Sequence, residues 1–488
     1  MSVGSSDFEK QNHLGGMTID EVDVDVAATL GTGSEAPLDP AEALRLRLSF
    51  LFIICLRGDT DALRLQEETR LTSNASYVHS ISYPQNLALQ KLPVAKWMSI
   101  NIFIWAIALM AHAACKSFGG LFAVRFILGM CEGAITPGFL IVTSMFYTRE
   151  EQSKRVGYWF LMNGAAVIFL GLIAFGLIHI HNDNLHAWQW LMIITGLVTF
   201  VVSVLFWFFF PDSPVSARFL TPEERVKVVQ RIKANQSGVE NKHWKQEQFV
   251  EALRDPKTWL LALFVASANL FNAVTNQRQI IVKQFGYTLG QTTLLGTVDG
   301  AVEILVIFGV VSLIPYLGHC YSAILSFIPP VIGGILLITL PSDDKVGLLF
   351  SYWITIFAIA PFAVTLGWMN NVTAGHTKKT TVNAIVLIGY GIGNTAGPFM
   401  WKAMYQPRNR VPWAILTGFC VFSALVLFVL RAHLALENKR RNNEKRDYKY
   451  DNVYMAHVEA DGTTVEKKID KAFLDLTDIK NRDFRYVL

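Results

Sequence analysis

Two charges seven residues apart inside an apolar stretch are the first candidates for chemistry in this chain. Arg125 and Glu132 lie within GGLFAVRFILGMCEGAITPGFLIVTSMFY, which runs from Gly119 to Tyr147. The stretch is long enough to cross a bilayer, for which about 20 apolar residues suffice. A charge at the centre of an inserted helix costs about 2.5–3.5 kcal/mol on insertion scales. Seven residues make nearly two helical turns, so the two side chains share nearly one face, roughly 10 Å apart along the axis. That face is expected to look into a helical bundle or a water-filled cavity, not at lipid. Two readings fit it: a charge pair holding helices together, and a substrate or proton path.

Further polar groups fall in apolar runs. Asn163 sits in LMNGAA. Asn269, Asn272 and Asn276 are spaced i, i+3 and i+7, which places them on one helix face. Either interhelical hydrogen bonds or a cavity wall explains that face. Asp299 and Glu303, at i and i+4, form an acidic face. Asp299 near the helix end fits a carboxylate snorkelling to the interface, and Glu303, deeper in, is the better cavity candidate.

Other patterns carry little chemistry. The five cysteines form no CxxC or metal spacing, so they read as small apolar residues. His376 in AGHTKK reads as a loop residue, not a metal ligand. Gly389, Gly391, Gly393 and Gly397 lie in an apolar span and not after a strand, which points to close helix packing, not to a nucleotide. With no HExxH and no GxSxG, the chain does not read as an enzyme, and no cofactor is expected.

The elements that must position these groups are membrane helices. The chain of 488 residues is 52% hydrophobic and 17% charged, whereas soluble domains carry about 25% charged residues. Ten spans are predicted, at 97–115, 119–146, 156–180, 187–210, 257–276, 294–316, 321–340, 347–369, 380–402 and 412–431. Basic residues collect in the 147–156 loop, the 211–256 segment, the 370–379 turn and the C-terminal tail, all on one side when ten spans are threaded. By the positive-inside rule that side is cytosolic, as are both termini. Loops with Arg278 and Lys283, and with Lys402, Arg408 and Arg410, fall on the other side and disagree mildly. The small net charge of +4 serves topology and implies no nucleic-acid partner. Residues 1–43 are acidic, lack an apolar core and are predicted to be a disordered tail. In 211–256, Thr221, Pro222 and Glu224 spell an N-cap, a Pro at N1 and a capping box.

Five stretches carry a family resemblance: RFILGMCEGAITPGF from Arg125, FFPDSPVSARFLTPEER from Phe209, LRDPKTWLL from Leu253, NNVTAGHTKK from Asn370 and NAIVLIGYGIGNTAGPFMW from Asn383. In this combination and order the chain resembles the fungal allantoate permease type of major facilitator superfamily transporter, the anion:cation symporters. The resemblance implies an all-α membrane protein of two helical bundles around a central cavity. It also implies proton-coupled import of a small organic anion or related nutrient of the allantoate, nicotinate, pantothenate or small-peptide type. The expected setting is a multi-pass monomer in the plasma membrane. The domain map that follows is a tail over 1–43, a degenerate first span and polar segment over 44–96, a four-span bundle over 97–210, a central loop over 211–256, a six-span bundle over 257–431 and a tail over 432–488. The family pattern has two spans before YPQNLALQKLPVAKW; here Leu44–Leu56 reads as a stub of the first and the second is absent. A chain short of that wall is expected to transport poorly, or to be a non-transporting remnant or sensor.

Overall fold

The computed structural model describes residues 17–19, 85, 88–89, 91–179, 185–218, 220–233, 243–444, 453–458, 464–469 and 474–488. The stub at 44–56 and the polar run after it lie outside the described residues, as does the acidic tail apart from 17–19. That short piece, expected to be disordered, is strand β1 (Met17–Ile19) and pairs in parallel with β2 (Val453–Val458), which pairs antiparallel with β3 (Thr464–Ile469).

The first bundle comprises α1 (Val94–His112), α2 (Phe118–Phe146), α3 (Arg149–Ile178) and α4 (Ala187–Phe209). Two short helices of the central segment follow, α5 (Pro222–Lys233) and α6 (Gln246–Arg254). The capping box at Thr221 forms: its N–H donates to Glu224 Oε2 at 2.7 Å, and Glu224 N–H donates to Thr221 Oγ1 at 3.3 Å. The second bundle comprises α7 (Pro256–Asn269), α8 (Asn272–Gln284), α9 (Leu289–Leu325), α10 (Ile328–Thr339), α11 (Lys345–Thr355), α12 (Ala360–Asn371), α13 (His376–Ala396) and α14 (Arg410–Asn443).

Among the described residues, eight helical stretches are long and apolar enough to cross a membrane. One of them, Leu289–Thr339, runs for 51 residues and turns at Gly318, whose φ of +76° suits a residue without Cβ. It therefore makes two passes. The more polar α13 completes ten, the number read from the sequence. Large apolar side chains point outward, as lipid demands: Phe209, Leu305 and Tyr316 are all exposed.

Helix α3 packs along α9 and against α12, and so joins the bundles. Leu140, Val156 and Phe160 of the first bundle share one core with Phe264, Ile307 and Trp368 of the second. The seam runs close because three glycines of α3, each seven residues from the next, face α9. A Cβ on Gly164 would sit 2.6 Å from the Gly300 carbonyl oxygen, and one on Gly171 would sit 2.9 Å from Thr297 Cγ2; Gly157 faces Val311 just as tightly. Gly164→Leu is accordingly expected to destabilise the folded chain by about 1–3 kcal/mol, as overpacking does. Gly176, with open space where a Cβ would go, is the control. Thermal unfolding in detergent checks this: equal midpoints for Gly164→Leu and Gly176→Leu would refute the seam. The glycines of α13 pack similarly. A Cβ on Gly389 would meet the Ala262 carbonyl oxygen of α7 at 2.6 Å, and Gly393 closes on Ala266.

The basic loops gather at one end of the bundles. Arg231 of α5 pairs with Glu151 of α3 at 2.6 Å, and Lys378 of α13 with Glu251 of α6 at 2.9 Å. At this end the bundles are sealed. Asn370 donates to Gln152 Oε1 at 2.8 Å, Asn371 donates to Ser153 Oγ at 3.0 Å, and His319 Nε2 lies 2.7 Å from the same oxygen. All five side chains are buried.

Candidate functional site

Two passes of the second bundle break where they meet a cleft. Helix α7 ends at Asn269, and α8 begins at Asn272 after the turn of Leu270 and Phe271. In the other pass a 3-10 segment, Ile356–Ile359, separates α11 from α12. Pro361 accounts for this: it lacks a backbone donor, and its ring crowds the carbonyl four residues before it. The cleft holds about 590 Å³ of empty space, open solvent included, and is lined mainly from α7, α8, α9 and the α11–α12 junction, with Val167 reaching in from α3.

Its charged groups are Arg278, Asp299 and Glu303. The Arg278 guanidinium lies against α9, its Cζ 3.5 Å from where a Cβ on Gly296 would be. Asp299 is three residues on, on the same face of α9, within electrostatic reach of Arg278. The Asp299 carboxylate accepts from the Tyr352 hydroxyl at 3.0 Å and from Trp353 Nε1 at 2.9 Å. Glu303 is one turn deeper and accepts from Asn163 Nδ2 at 2.6 Å, a hydrogen bond that crosses from the second bundle to the first.

Counted along the helices, this site lies away from the sealed end. Arg278 is six residues before the end of α8, and Asp299 ten residues after the start of α9, about 15 Å in. A cation, a carboxylate fixed by two aromatic donors, a second carboxylate bridging the bundles and several amides make a place where a small anion can replace a carboxylate as partner of an arginine.

The sequence-predicted residues separate into two groups. Asn269, Asn272 and Glu303 line the cleft, and Asn163 joins it through Glu303. Asn272 Nδ2 donates to Asn269 Oδ1 at 3.1 Å and to Asn394 Oδ1 of α13 at 2.9 Å, so both readings of that face, interhelical bond and cavity wall, hold together. Asn276 is exposed and does not line the cleft, whose α8 wall is Asn272, Val274, Thr275 and Arg278. Arg125 and Glu132 stand half-buried on α2 and do not line it either.

Two residues were misplaced by sequence reasoning. Arg278 belongs not to an outer loop but to α8, which continues to Gln284 beyond the predicted end of that span at 276. Asp299 does not snorkel to the interface; it is held in the cleft by Tyr352 and Trp353. A signal was present for Arg278: NAVTNQRQIIVKQ contains no glycine or proline to stop a helix.

Comparison with known proteins gives a consistent picture. The family model of the Major Facilitator Superfamily matches residues 86–379. A thiamine pathway transporter of Saccharomyces cerevisiae is 34% identical over 403 residues, 82% of this chain and 73% of that protein. The allantoate permease of the same yeast is 33% identical over 412 residues, 81% of this chain and 72% of that protein. Its high affinity cysteine transporter is 29% identical over 451 residues, 86% of this chain and 84% of that one. Among solved structures, a proton:xylose symporter superposes with a TM-score of 0.57 at 12% identity, covering 82% of this chain and 93% of its own. The human organic anion transporter MFSD10 does so at 0.53 and 14% identity, covering 74% and 83%. At such identities these two structures show the fold alone.

Proposed function

Because the chain belongs to the major facilitator superfamily, and is thus a multi-pass membrane transporter and not an enzyme, we propose that it couples the import of a small organic anion to protons. Arg278 binds the anion, and Asp299 is the carboxylate that yields its place to it. The observation that carries this reading is the placement of Arg278 and Asp299 together in the cleft, with Asp299 already held by Tyr352 and Trp353. When Asp299 takes up a proton it ceases to compete for Arg278, and an anion carboxylate takes over the guanidinium. Anion and proton are therefore held together, and neither is favoured alone.

Glu303 is the second carboxylate. Its hydrogen bond from Asn163 spans the two bundles, so rocking of one bundle against the other around the cleft must remake it. The anion-binding cation of this reading is Arg278. Arg125 and Glu132 act on the α2 wall of the first bundle, outside the lining of this cleft. The basic-loop end is the cytosolic side, by the same loop charges that the sequence shows. The plasma membrane is the expected location, where an importer of external nutrients must sit.

Accumulation of labelled allantoate or nicotinate at acidic external pH, in a host lacking its own uptake system, tests the reading. A protonophore is expected to abolish accumulation; accumulation that ignores it contradicts symport. Asn163→Ala, which removes the donor to Glu303, is expected to slow uptake about tenfold, since a hydrogen bond to a charged group contributes about 1.5–3 kcal/mol. Unchanged uptake in that variant would show that the bridge has no part in the cycle.

A further inference from the structure

Residues 474–488 lie folded beneath the sealed end and touch both bundles. Leu474 and Leu476 join the first bundle's own core, which is built on Met98, Phe139 and Phe206 and extended by Val228 and Val229 of α5. Ten residues on, Phe484 and Tyr486 join the core shared with the second bundle.

Polar bonds fix the segment between these anchors. Asp478 is fully buried and pairs with Lys257 at 2.6 Å, at the start of α7, and with Lys378 at 3.0 Å, in α13. Both lysines are themselves buried. The Tyr486 hydroxyl donates to Asp478 Oδ2 at 2.7 Å, and Arg441 of α14 donates to the Asp478 carbonyl at 2.9 Å. Asp255 and Glu251 are the other carboxylates facing these lysines. The last residues run directly to the seal: Trp368 Nε1 donates to the Val487 carbonyl at 2.7 Å, and His319 N–H donates to the Leu488 carbonyl at 3.3 Å. His319 is the residue whose ring meets Ser153 across the bundle interface.

We propose that residues 474–488 form a strap that clamps the two bundles together at the basic-loop end and must loosen before the cleft can open to that side. Its consequence for transport rests on the rocking reading above; its physical existence does not. Two hydrophobic anchors on different bundles, joined by a chain held by a buried aspartate, resist separation of the bundles in a way that anchors on one bundle cannot. The strap also holds at neutral pH. Burial works against the Asp478 charge, but Lys257 and Lys378 outweigh it and keep the carboxyl well below the usual range; Asp255 is lowered by the same pair against the same burial. Stability from a depressed carboxylate is fully present above its unfolded pKa of about 4 and is lost only as pH falls toward the depressed value. Mild acidification outside or inside a cell therefore leaves the strap closed, and loosening belongs to the transport cycle.

Amide hydrogen exchange on the full chain in lipid nanodiscs tests the proposal without any substrate. This keeps its failure distinct from failure of the anion–proton reading. Asp478→Asn is expected to speed exchange at least tenfold in 474–488 and, together with it, in the seal segments 152–156 and 367–373, while 289–296 at the opposite end keeps its rate. Leu474→Ala with Leu476→Ala releases only the first-bundle anchor, leaves the buried charges intact and is expected to speed the same seal segments. It serves as the test should Asp478→Asn not fold. Faster exchange confined to 474–488, unchanged exchange throughout, or acceleration extending equally to 289–296 would each overturn the strap.

Discussion

Replacing Arg278 with alanine is expected to lower uptake of a labelled organic anion about a hundredfold while the chain still reaches the membrane. Truncating the charged partner that holds a substrate carboxylate costs about 2–5 kcal/mol, and each 1.4 kcal/mol is a factor of ten. The variant loses the cation that an anion must meet and leaves Asp299 with Tyr352 and Trp353 alone. Insertion does not suffer, because an arginine within a span costs about 2.5–3.5 kcal/mol and alanine removes that cost. Lys in place of Arg restores the charge but not the planar fork and is expected to recover only part of the loss. Surface labelling and uptake measured on the same cells separate the two effects. Full surface expression with unchanged uptake would remove Arg278 from the substrate site.

Asp299→Asn is expected to separate exchange of anion from its proton-driven accumulation. Asparagine still offers an oxygen to Tyr352 and Trp353, so the cleft keeps its shape, but it carries no titrating carboxyl. Exchange of labelled for unlabelled anion across the membrane should persist. Accumulation above the external concentration should disappear, and a protonophore should have no further effect. Efflux and exchange assays in proteoliposomes distinguish the two. An Asp299→Asn variant that still accumulates anion up a concentration gradient would contradict the assignment of this carboxyl.

Much of the architecture is legible in the chain because lipid imposes a single rule: backbone groups must bond within the helix, so spans show up as apolar runs. Ten passes, the cap at Thr221 and the glycine packing of α13 all follow from local pattern. The site was legible in part. Asn163, Asn269, Asn272 and Glu303 stand out as polar groups in apolar runs, and all four meet at the cleft. Arg125 and Glu132 stand out for the same reason and do not line it. Periodicity tells which residues share a face of α2, but not which neighbour that face meets. Asn276 shares the i, i+7 face of Asn269, yet the cleft is walled on α8 by Val274, Thr275 and Arg278, and spacing alone does not tell how far along a helix a cleft extends. Arg278 and Asp299 were misread because an isolated charge near a predicted span end looks like a loop or interfacial residue until its partners are known. Tyr352 and Trp353 lie more than fifty residues from Asp299 in the chain. The strap was the least legible, since 432–488 reads as a tail and the role of Asp478 depends on buried lysines at least a hundred residues away.

In the proposed mechanism Arg278 and Asp299 form one site where anion and proton bind together. The most direct test is the pH dependence of anion affinity for the purified chain, read from the rise in unfolding temperature on titration with allantoate or nicotinate, which needs no transport. If a proton on Asp299 frees Arg278, affinity should fall about tenfold per unit of rising pH above the titration of that carboxyl, the signature of one linked proton. Asp299→Asn should remove the slope. Anion affinity that is flat with pH in the native chain, or that keeps its slope in Asp299→Asn, would contradict the account.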